Sequence, residues 1–289
     1  MTQTLLSFGH GYSAQALTPL LTERGFTVFG TTRSDEKADM LSATGMTPIV
    51  WPGEDIMEAL DAATHLLLSA APGAEGDPVL AVLRDEIAKR AGQFEWVGYL
   101  STTGVYGDAQ GGWVDETSPL APSTKRGEAR VKAEAEWQAI DGLPLHIFRL
   151  AGIYGPGRGP FSKVRAGTAR RIIKQGQVFS RIHVDDIAAV LAASIAAPAP
   201  GEVYNLCDDD PAPPQDVIGY AAELLGLPLP PEVDFDTADM TPMARSFYAE
   251  SKRVRNDKIK TELGVTLTYP DYRSGLQALL ARASTSGQF

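Results

Sequence analysis

A glycine-containing segment near the N-terminus has the residue types and spacing of an anion-binding turn. The segment has the pattern G-x-G-x-x-A, with Gly9, Gly11 and Ala14 in the three positions and with Tyr12 and Ser13 between the last two. Between a strand and a helix, the first glycine permits a tight turn and the second lets the backbone approach a pyrophosphate. The small third residue lets helix and strand pack closely. We predict a dinucleotide site at these five residues; the alternative is a purely structural turn.

The end of the second predicted strand indicates which dinucleotide is bound. Sites for NAD carry an acidic residue about 20 residues after the glycines, where it binds the ribose 2′-hydroxyl. This sequence has Thr32, Arg33 and Ser34 there instead. A guanidinium group with neighbouring hydroxyls binds a 2′-phosphate through charge-assisted hydrogen bonds. We predict NADP(H), with NAD(H) as the alternative, because an arginine on the surface after a strand is also common.

Small residues follow the fourth predicted strand at Ser69, Ala70 and Ala71. Ligands of doubly wound sheets bind outside the carboxyl ends of the strands. We therefore expect these three residues to leave room for the adenosine and its ribose. His10 lies between the two glycines of the turn, and we interpret it as a loop residue that faces solvent or the adenosine rather than as a catalytic group.

These residues must be positioned by a repeating series of strands and helices, because β-type runs alternate with helical stretches through the first half of the chain. We predict strands at residues 4–8, 26–31, 47–50, 65–69, 96–101, 145–150 and 202–206. We predict helices at residues 12–24 and 123–140, the first closed by Gly25 at the position of a left-handed C-cap. The pattern indicates an α/β protein with a Rossmann-type, doubly wound parallel sheet.

Composition narrows the classes of partner and compartment. The net charge of −10 opposes binding to nucleic acids. No run of about 20 apolar residues is present, so we expect no membrane span. No basic segment precedes the first apolar stretch, so we expect no signal peptide. Cys207 is the only cysteine, which excludes a multi-cysteine metal site and favours the reducing cytoplasm. We predict a cytoplasmic protein without a metal, and we expect Asp185 and Asp186, which follow His183, to begin a helix rather than bind an ion.

The alternation of strands and helices is lost after residue 150. Several glycines and prolines between residues 155 and 160 indicate a loop, and prolines at 211–214 and 228–231 break up the rest. We predict that residues 1–157 and 175–206 form the dinucleotide-binding domain. Residues 158–174 and 207–289 then form a smaller C-terminal substrate lobe.

Three further segments carry a family resemblance: LSTTGVYG at residues 100–107, RLAGIYGP at 149–156 and RIHVDDI at 181–187. In this order they resemble the extended short-chain dehydrogenases/reductases, which include the nucleoside-diphosphate-sugar epimerases and dehydratases. The resemblance extends from residue 4 to about residue 280. It implies a Rossmann domain, a C-terminal substrate lobe, redox chemistry on a small molecule in the cleft between them, and a homodimer paired through helices.

The resemblance also implies a catalytic Ser or Thr followed by Tyr-x-x-x-Lys on the next helix. There the lysine and the cofactor lower the tyrosine pKa for proton transfer. Thr102 matches the Ser/Thr position and is expected to contact the cofactor as well. Arg126 and Arg130, however, occupy the Tyr and Lys positions. Because arginine keeps its proton in proteins, neither can be a general acid or base. Tyr106, Tyr154 and a bound water are the candidate proton donors that are left.

The two arginines allow two interpretations. A guanidinium pair one helical turn apart is suited to bind a substrate phosphate or carboxylate, or the cofactor's pyrophosphate. Alternatively, both pair with Glu128, Glu134 and Glu136 on a solvated helix. A Tyr-x-x-x-Lys string also occurs at Tyr248 and Lys252. It lies far past the required helix, and we interpret it as coincidence.

Two functional hypotheses follow. The first is an NADP(H)-binding, atypical short-chain dehydrogenase/reductase that acts on a nucleotide-sugar or another small carbonyl or hydroxyl compound without the usual Tyr-x-x-x-Lys. The second is a catalytically silent protein that uses NADP(H) as a sensing or structural ligand. The missing tyrosine and lysine favour the second hypothesis. The retained Thr102 and the two-lobed cleft favour the first.

Overall fold

The computed structural model describes residues 3–285. Its strands are β1 Thr4–Phe8, β2 Thr27–Thr32, β3 Thr47–Val50, β4 His65–Leu68, β5 Trp96–Thr102, β6 Trp113–Val114, β7 Leu145–Leu150, β8 Gly152–Tyr154, β9 Arg171–Ile173, β10 Arg181–His183, β11 Val203–Leu206, β12 Glu232–Asp234 and β13 Arg253–Val254. Its helices are α1 Tyr12–Thr22, α2 Asp35–Ser42, α3 Met57–Ala62, α4 Leu80–Lys89, α5 Lys125–Gln138, α6 Phe161–Arg165, α7 Val184–Ala196, α8 Pro214–Leu224, α9 Pro242–Phe247, α10 Asp257–Thr261 and α11 Tyr272–Thr285. Two 3₁₀ turns lie at Ala91–Gln93 and Thr103–Tyr106.

Seven strands form one sheet in the order β11–β7–β5–β4–β1–β2–β3, and all neighbouring pairs are parallel. The chain proceeds outward from β1 to β3 and then returns to place β4 on the other side of β1. The strand order therefore reverses between β1 and β4, which is where doubly wound sheets bind ligands at the carboxyl ends of their strands. The predicted fold class is confirmed.

The seven strands of this sheet were predicted to within one residue at each end. They are recognisable because the sheet is buried on both faces, so its strands are nearly continuous apolar runs. Every residue of β1 and of β7 is buried. Trp96, Phe148 and Tyr204 belong to the core on one side of the sheet, and Leu6 and Tyr99 belong to the core on the other.

Helix ends follow local capping groups. α5 begins at Lys125, two residues after the predicted start, because Thr124 is the N-cap and its Oγ1 accepts a hydrogen bond from the Gly127 N–H at 3.1 Å. His183 caps α7 in the same way: its Nδ1 accepts from the Asp185 N–H at 3.2 Å. Both acidic residues of the HVDD segment lie in the first turn of α7, as predicted.

Outside the main sheet, three short parallel pairs join distant segments: β8 with β10, β9 with β12, and β6 with β13. A separate apolar cluster packs Tyr154 and Val164 against residues of α8 and α11. The β6/β13 pair ties residues 113–114 to residues 253–254, so the C-terminal part of the chain contacts the loop after β5. The domain boundaries given above stay a prediction.

Candidate active site

The turn between β1 and α1 is held by a close backbone approach. Gly9 has φ of +74°, and a Cβ there would lie 2.8 Å from the backbone nitrogen of Ala70. The Gly9 N–H donates to Thr31 Oγ1 at 2.7 Å. Gly11 is the N-cap of α1, and no side chain caps this helix. Free N–H groups at the start of α1 therefore lie at the reversal of the sheet, where backbone donors and the helix dipole favour a pyrophosphate.

His10 is buried, which contradicts the interpretation that it faces solvent or the adenosine. Its ring occupies space left by a glycine in β2, because a Cβ on Gly30 would lie 2.6 Å from His10 Cγ. His10 Nε2 lies 3.2 Å from Thr18 Oγ1 of α1. Burial, with a smaller effect of Lys37, lowers the pKa of His10 to about 4. A neutral His10 thus joins the turn to α1 and β2.

The residues expected to bind the 2′-position lie at the carboxyl end of β2. Thr32 is the last residue of the strand, and its buried Oγ1 has no hydrogen-bond partner among the described residues. Arg33 is exposed. Ser34 Oγ accepts from the Lys37 N–H at 3.4 Å and caps α2. An unpartnered buried hydroxyl beside an exposed guanidinium fits a bound ligand with a phosphate and hydroxyl groups.

The remaining residues of the predicted cofactor site surround the same edge. The Ser69 N–H donates to Phe8 O at 2.9 Å and extends the β1/β4 pairing, so Ala70 and Ala71 follow beside the glycine turn. Ser13 and Ala14 are buried in α1. Their small side chains keep α1 close to the sheet. The structure thus brings the predicted cofactor residues to one edge, and this edge fits a dinucleotide.

Tyr12 connects the glycine turn to the loop after β8. Its hydroxyl donates to Pro156 O at 2.9 Å, and the Arg158 guanidinium carbon lies 5.7 Å from the centre of its ring. Gly155 is required there, since any side chain would overlap the Tyr12 hydroxyl. The sequence analysis did not single out Arg158. The signals that pointed to this loop were the RLAGIYGP segment, which ends two residues before Arg158, and the glycines and prolines between residues 155 and 160.

Thr102 and the two helix arginines lie on the other side of the predicted cleft. Thr102 ends β5, is half-buried, and its Oγ1 accepts from the Gly104 N–H at 3.1 Å. Arg130 Nη1 donates to Tyr99 Oη at 3.1 Å and to the carbonyl oxygen of the residue that follows Tyr99 at 2.5 Å. Arg126 is exposed, and its guanidinium lies 5.0 Å from the ring of Phe247 in α9.

The two guanidinium groups therefore have different partners, one on β5 and one on α9. This arrangement does not support a single bidentate anion clamp. The alternative interpretation is also wrong, because within residues 3–285 neither arginine forms an ion pair with Glu128, Glu134 or Glu136. Glu134 pairs with Arg149 at 2.8 Å, and Glu136 pairs with Lys132 at 3.7 Å.

Tyr106 belongs to a buried polar network, which corrects the expectation that it is a candidate proton donor. It is 3% exposed. Its hydroxyl donates to Asn205 Oδ1 at 2.7 Å and accepts from Arg149 Nη1 at 3.0 Å. Arg149 in turn pairs with Glu134, whose Oε1 also accepts from the Ser101 hydroxyl. Burial raises the pKa of Tyr106, against the opposing effect of Arg149. The network fastens α5 to β5, β7 and β11.

Tyr154 points towards α11. A Cβ on Gly275 would lie 2.6 Å from Tyr154 Cε2, and the Tyr154 hydroxyl lies 3.4 Å from Asp271 O. Burial and nearby carboxylates, Asp208 first among them, raise the pKa of Tyr154. Tyr154 is therefore a poorer acid than a free phenol, and the structure does not place it with Thr102.

The second Tyr-x-x-x-Lys string does not form a catalytic pair. Tyr248 is buried among aromatic side chains, with its ring centre 5.6 Å from that of Phe179. Lys252 Nζ donates to Gly107 O at 2.6 Å and pairs with Glu250 at 2.5 Å. The segment does return to the loop after β5, but the Tyr248 ring packs in an aromatic cluster and the Lys252 ammonium group is hydrogen-bonded and ion-paired within the protein.

A cleft lies between β8, β10, α8 and α11, next to the loop that contacts Tyr12. We call it the β8–α11 cleft; its volume is about 180 Å³, and it is lined by Ile153, Tyr154, Arg158, Gly159, Pro160, Arg181, Val217, Tyr272 and Leu276. The sequence analysis missed it because its walls come from four distant segments. In the described chain, 3–285, no cluster of three or more His, Cys, Asp or Glu suited to a metal ion occurs, and no helix is long and apolar enough to cross a membrane.

Comparison with known proteins places this fold in a family. Residues 79–207 match the model of the NAD dependent epimerase/dehydratase family. This part of the chain, 129 of its 289 residues, resembles that family. Protein YeeZ of Escherichia coli K12 is 29% identical over 276 residues, which are 91% of this chain and 95% of YeeZ. A 3-diazoavenalumate denitrifying reductase of Streptomyces sp is 28% identical over 177 residues, 57% of this chain and 55% of that protein.

Solved structures share the whole fold. A conserved protein of unknown function from Silicibacter pomeroyi is 66% identical with a TM-score of 0.94, covering 97% of this chain and 99% of that one. The dTDP-glucose 4,6-dehydratase of Bacillus anthracis in complex with NAD has 17% identity and a TM-score of 0.80, covering 100% and 98%. A human epimerase family protein with NADPH has 18% identity and a TM-score of 0.75, covering 96% and 99%. The fold is thus the NAD(P)-binding epimerase/dehydratase fold, and it occurs with both nucleotides.

Proposed function

We propose that this protein with the epimerase/dehydratase fold binds NADP(H) and is an oxidoreductase whose proton transfer does not use α5. The observation that carries the proposal is the edge around Gly9 and Thr32, which fits a dinucleotide. Arg126 and Arg130, in the positions of the usual tyrosine and lysine, argue against proton transfer from α5. The exposed Arg33 supports NADP(H) over NAD(H), because a guanidinium attracts the 2′-phosphate.

The chain's own residues would act as follows. Gly9, Gly11 and the start of α1 bind the pyrophosphate, and Thr32 and Arg33 bind the ribose phosphate end. The cofactor supplies a hydride donor or acceptor when it is bound. Thr102 orients the substrate oxygen or an equivalent polar atom. Arg130, held at the end of β5, contributes a fixed positive charge but no proton.

Two kinds of substrate suit such a site. A carbonyl or hydroxyl compound, nucleotide-sugar or smaller, would exchange its proton with a bound water. An electrophile that takes up a hydride and loses a leaving group needs no proton from the protein. For example, a diazonium carbon gains hydride while its C–N bond breaks and N₂ leaves with the bonding electrons. The reductase relative named for 3-diazoavenalumate supports the second kind.

The test is turnover of NADPH against a panel of sugar nucleotides, small carbonyl compounds and an arenediazonium salt. The unmutated protein is compared with the double variant Arg126→Tyr and Arg130→Lys and with Thr102→Val. We expect turnover by the unmutated protein that Thr102→Val lowers at least about tenfold. Turnover that survives loss of Thr102 would show that the reaction occurs elsewhere.

A second candidate function is a catalytically silent NADP(H)-binding sensor or structural protein, which the same two arginines favour. Nucleotide binding without turnover of any compound, together with turnover by the double variant, would support it. Two expectations are separate from this choice and stay predictions: a homodimer, which light scattering at micromolar concentration tests, and the cytoplasmic location suggested by the lone Cys207.

A further inference from the structure

The β8–α11 cleft holds a positively charged group with unused donors. Arg181 Nη1 donates to Phe179 O at 2.9 Å and to Ala212 O at 3.0 Å. Its Nε and Nη2 have no protein hydrogen-bond partner in the described part of the chain. Neither of them is among the fully buried atoms without a partner, so both are accessible to solvent. These two nitrogens form one edge of the planar guanidinium. That edge matches the two oxygens of a carboxylate.

No carboxylate of the protein neutralises this guanidinium by direct contact within residues 3–285. Asp208 is the nearest candidate: its backbone N–H donates to Arg181 O at 2.6 Å, but its carboxyl group forms no ion pair, and both oxygens are buried without a partner. Burial raises the pKa of Asp208 to about 8 although the nearby charge of Arg181 lowers it, so Asp208 is largely protonated at neutral pH. Asp210 pairs with Arg273 instead, at 2.9 Å.

The rest of the lining is apolar and aromatic. Val217, Tyr272 and Leu276 are buried, and together with Ile153 they enclose the space beside Arg181. The volume of about 180 Å³ is close to that of a cavity of ~150 Å³ that binds benzene, and it is below the ~300–1,000 Å³ of pockets for drug-sized ligands. The cleft therefore fits one small ring or branched chain and is too small for a nucleotide-sugar.

The position of the cleft connects it to the cofactor edge. Arg158 lines the cleft and also stacks on Tyr12, the first residue of α1. Ile153 belongs to β8, which begins two residues after the end of β7 in the main sheet. The loop that carries Arg158 therefore borders both the cleft and the start of α1.

We propose that the β8–α11 cleft binds a small organic carboxylate with an apolar body, whose carboxylate group is held by Nε and Nη2 of Arg181. The further claim that this carboxylate is the substrate rests on the proposed oxidoreductase function. Binding itself needs no nucleotide, so it can be measured separately.

The experiment uses benzoate and its uncharged isostere benzamide as probes, followed by ligand-observed NMR and calorimetry on the full-length protein without nucleotide. We expect saturable benzoate binding, with benzamide at least about tenfold weaker. Arg181→Met should weaken benzoate at least tenfold. Leu276→Trp should abolish binding of both probes by filling the cleft while it leaves every charge in place. Arg84→Met is the control, because it removes one positive charge from an exposed arginine of α4 that does not line the cleft, and it should leave benzoate binding unchanged.

Equal binding of benzoate and benzamide, or benzoate binding that survives Leu276→Trp, would overturn the proposal. Displacement of benzoate by inorganic phosphate at equal concentration would overturn the carboxylate assignment. Displacement by uridine diphosphate would also overturn it and would favour a nucleotide-sugar as the ligand of the cleft. NADPH affinity of each variant is measured in parallel. If NADPH fails to bind while benzoate binds as expected, the proposed function fails and the carboxylate site stands.

Discussion

The two sides of the candidate cleft are built on different principles. On the cofactor side, small uncharged residues hold the backbone close to the ligand position: Gly9 lies against Ala70, and His10 is buried and neutral. The opposite side carries guanidinium groups, that of Arg126 beside α9 and that of Arg181 in the β8–α11 cleft. A dinucleotide site that depends on backbone shape can persist while the groups that face the substrate change.

Helix α5 illustrates this independence. It lacks the tyrosine and lysine that its family resemblance implies, yet Glu134 on the same helix keeps a buried ion pair with Arg149 and an accepted hydrogen bond from Ser101. The helix is therefore positioned by its buried face and not by its reactive residues. The usual tyrosine and lysine can therefore be replaced without a change in the position of the helix.

Breaking that anchor should have the largest effect. Glu134→Ala leaves Arg149 buried without its partner, and we expect it to lower the free energy of unfolding by about 3–5 kcal/mol. Glu136→Ala is the matched control on the same helix, because its pair with Lys132 is partly exposed and 3.7 Å long. The control should cost less than about 0.5 kcal/mol. Equal denaturation midpoints for the two variants would show that the buried pair does not anchor α5.

On the substrate side, Asp208 should make stability depend on pH. Burial raises its folded pKa from 3.8 to about 8, so the folded protein keeps a proton that the unfolded chain releases. The resulting stability is complete below about pH 4 and is lost as pH rises towards 8. Relative to the unmutated protein, we expect Asp208→Asn to gain roughly 3 kcal/mol of stability when the pH is raised from 6 to 9.

Urea denaturation of both proteins across this range measures the difference, and subtraction removes the titrations that they share. Asp210→Asn is the control, since Asp210 forms a partly exposed pair with Arg273. It should give a difference that changes by less than about 0.5 kcal/mol over the same range. A constant difference for Asp208→Asn would mean that Asp208 ionises normally in the folded protein.

The sequence predicted the cofactor side well because its signals are local. The glycine pattern and the strand and helix beside it lie within 20 consecutive residues, and each strand is a buried apolar run. His10 was misinterpreted because the space for its ring is provided by Gly30, a residue of the neighbouring strand. A glycine in the middle of β2 was the available signal, since glycine in a strand often marks a close approach.

The substrate side could not be predicted to the same extent because its contacts are long-range. Tyr106 and Asn205 are far apart in the chain, and only the parallel β5–β7–β11 arrangement brings them together. Arg181 was inside a segment that the sequence analysis singled out, yet its role depends on α8 and α11, whose packing has no local signature. Its charged neighbours, the run 208–210, were a signal that was not used.

On the cofactor side, Gly9→Ala tests whether backbone shape controls binding. The new Cβ would lie 2.8 Å from the Ala70 nitrogen at a φ of +74°. We expect NADPH affinity to fall about 100-fold, which is about 2.8 kcal/mol. Gly25→Ala is the matched control, because it has φ of +83° but nothing within 4 Å of its Cβ. It should lose about 1 kcal/mol of stability and no affinity; a similar loss of affinity in both would indicate strain alone.

The smallest expected effect concerns Arg33, the charged residue expected to contact the ribose 2′-position. Arg33→Asp should weaken NADPH about tenfold and leave NADH unchanged or tighter, because attraction to the 2′-phosphate becomes repulsion while a carboxylate can accept from a 2′-hydroxyl. Calorimetric titration of both nucleotides measures the reversal, and Arg84→Asp, at an exposed site on α4, controls for the change in net charge. Equal affinity of the unmutated protein for NADPH and NADH would remove the argument from Arg33. In that case Thr32, with its unpartnered buried hydroxyl, would be the residue that contacts the ribose, and the cofactor side would contain no charge that selects its ligand.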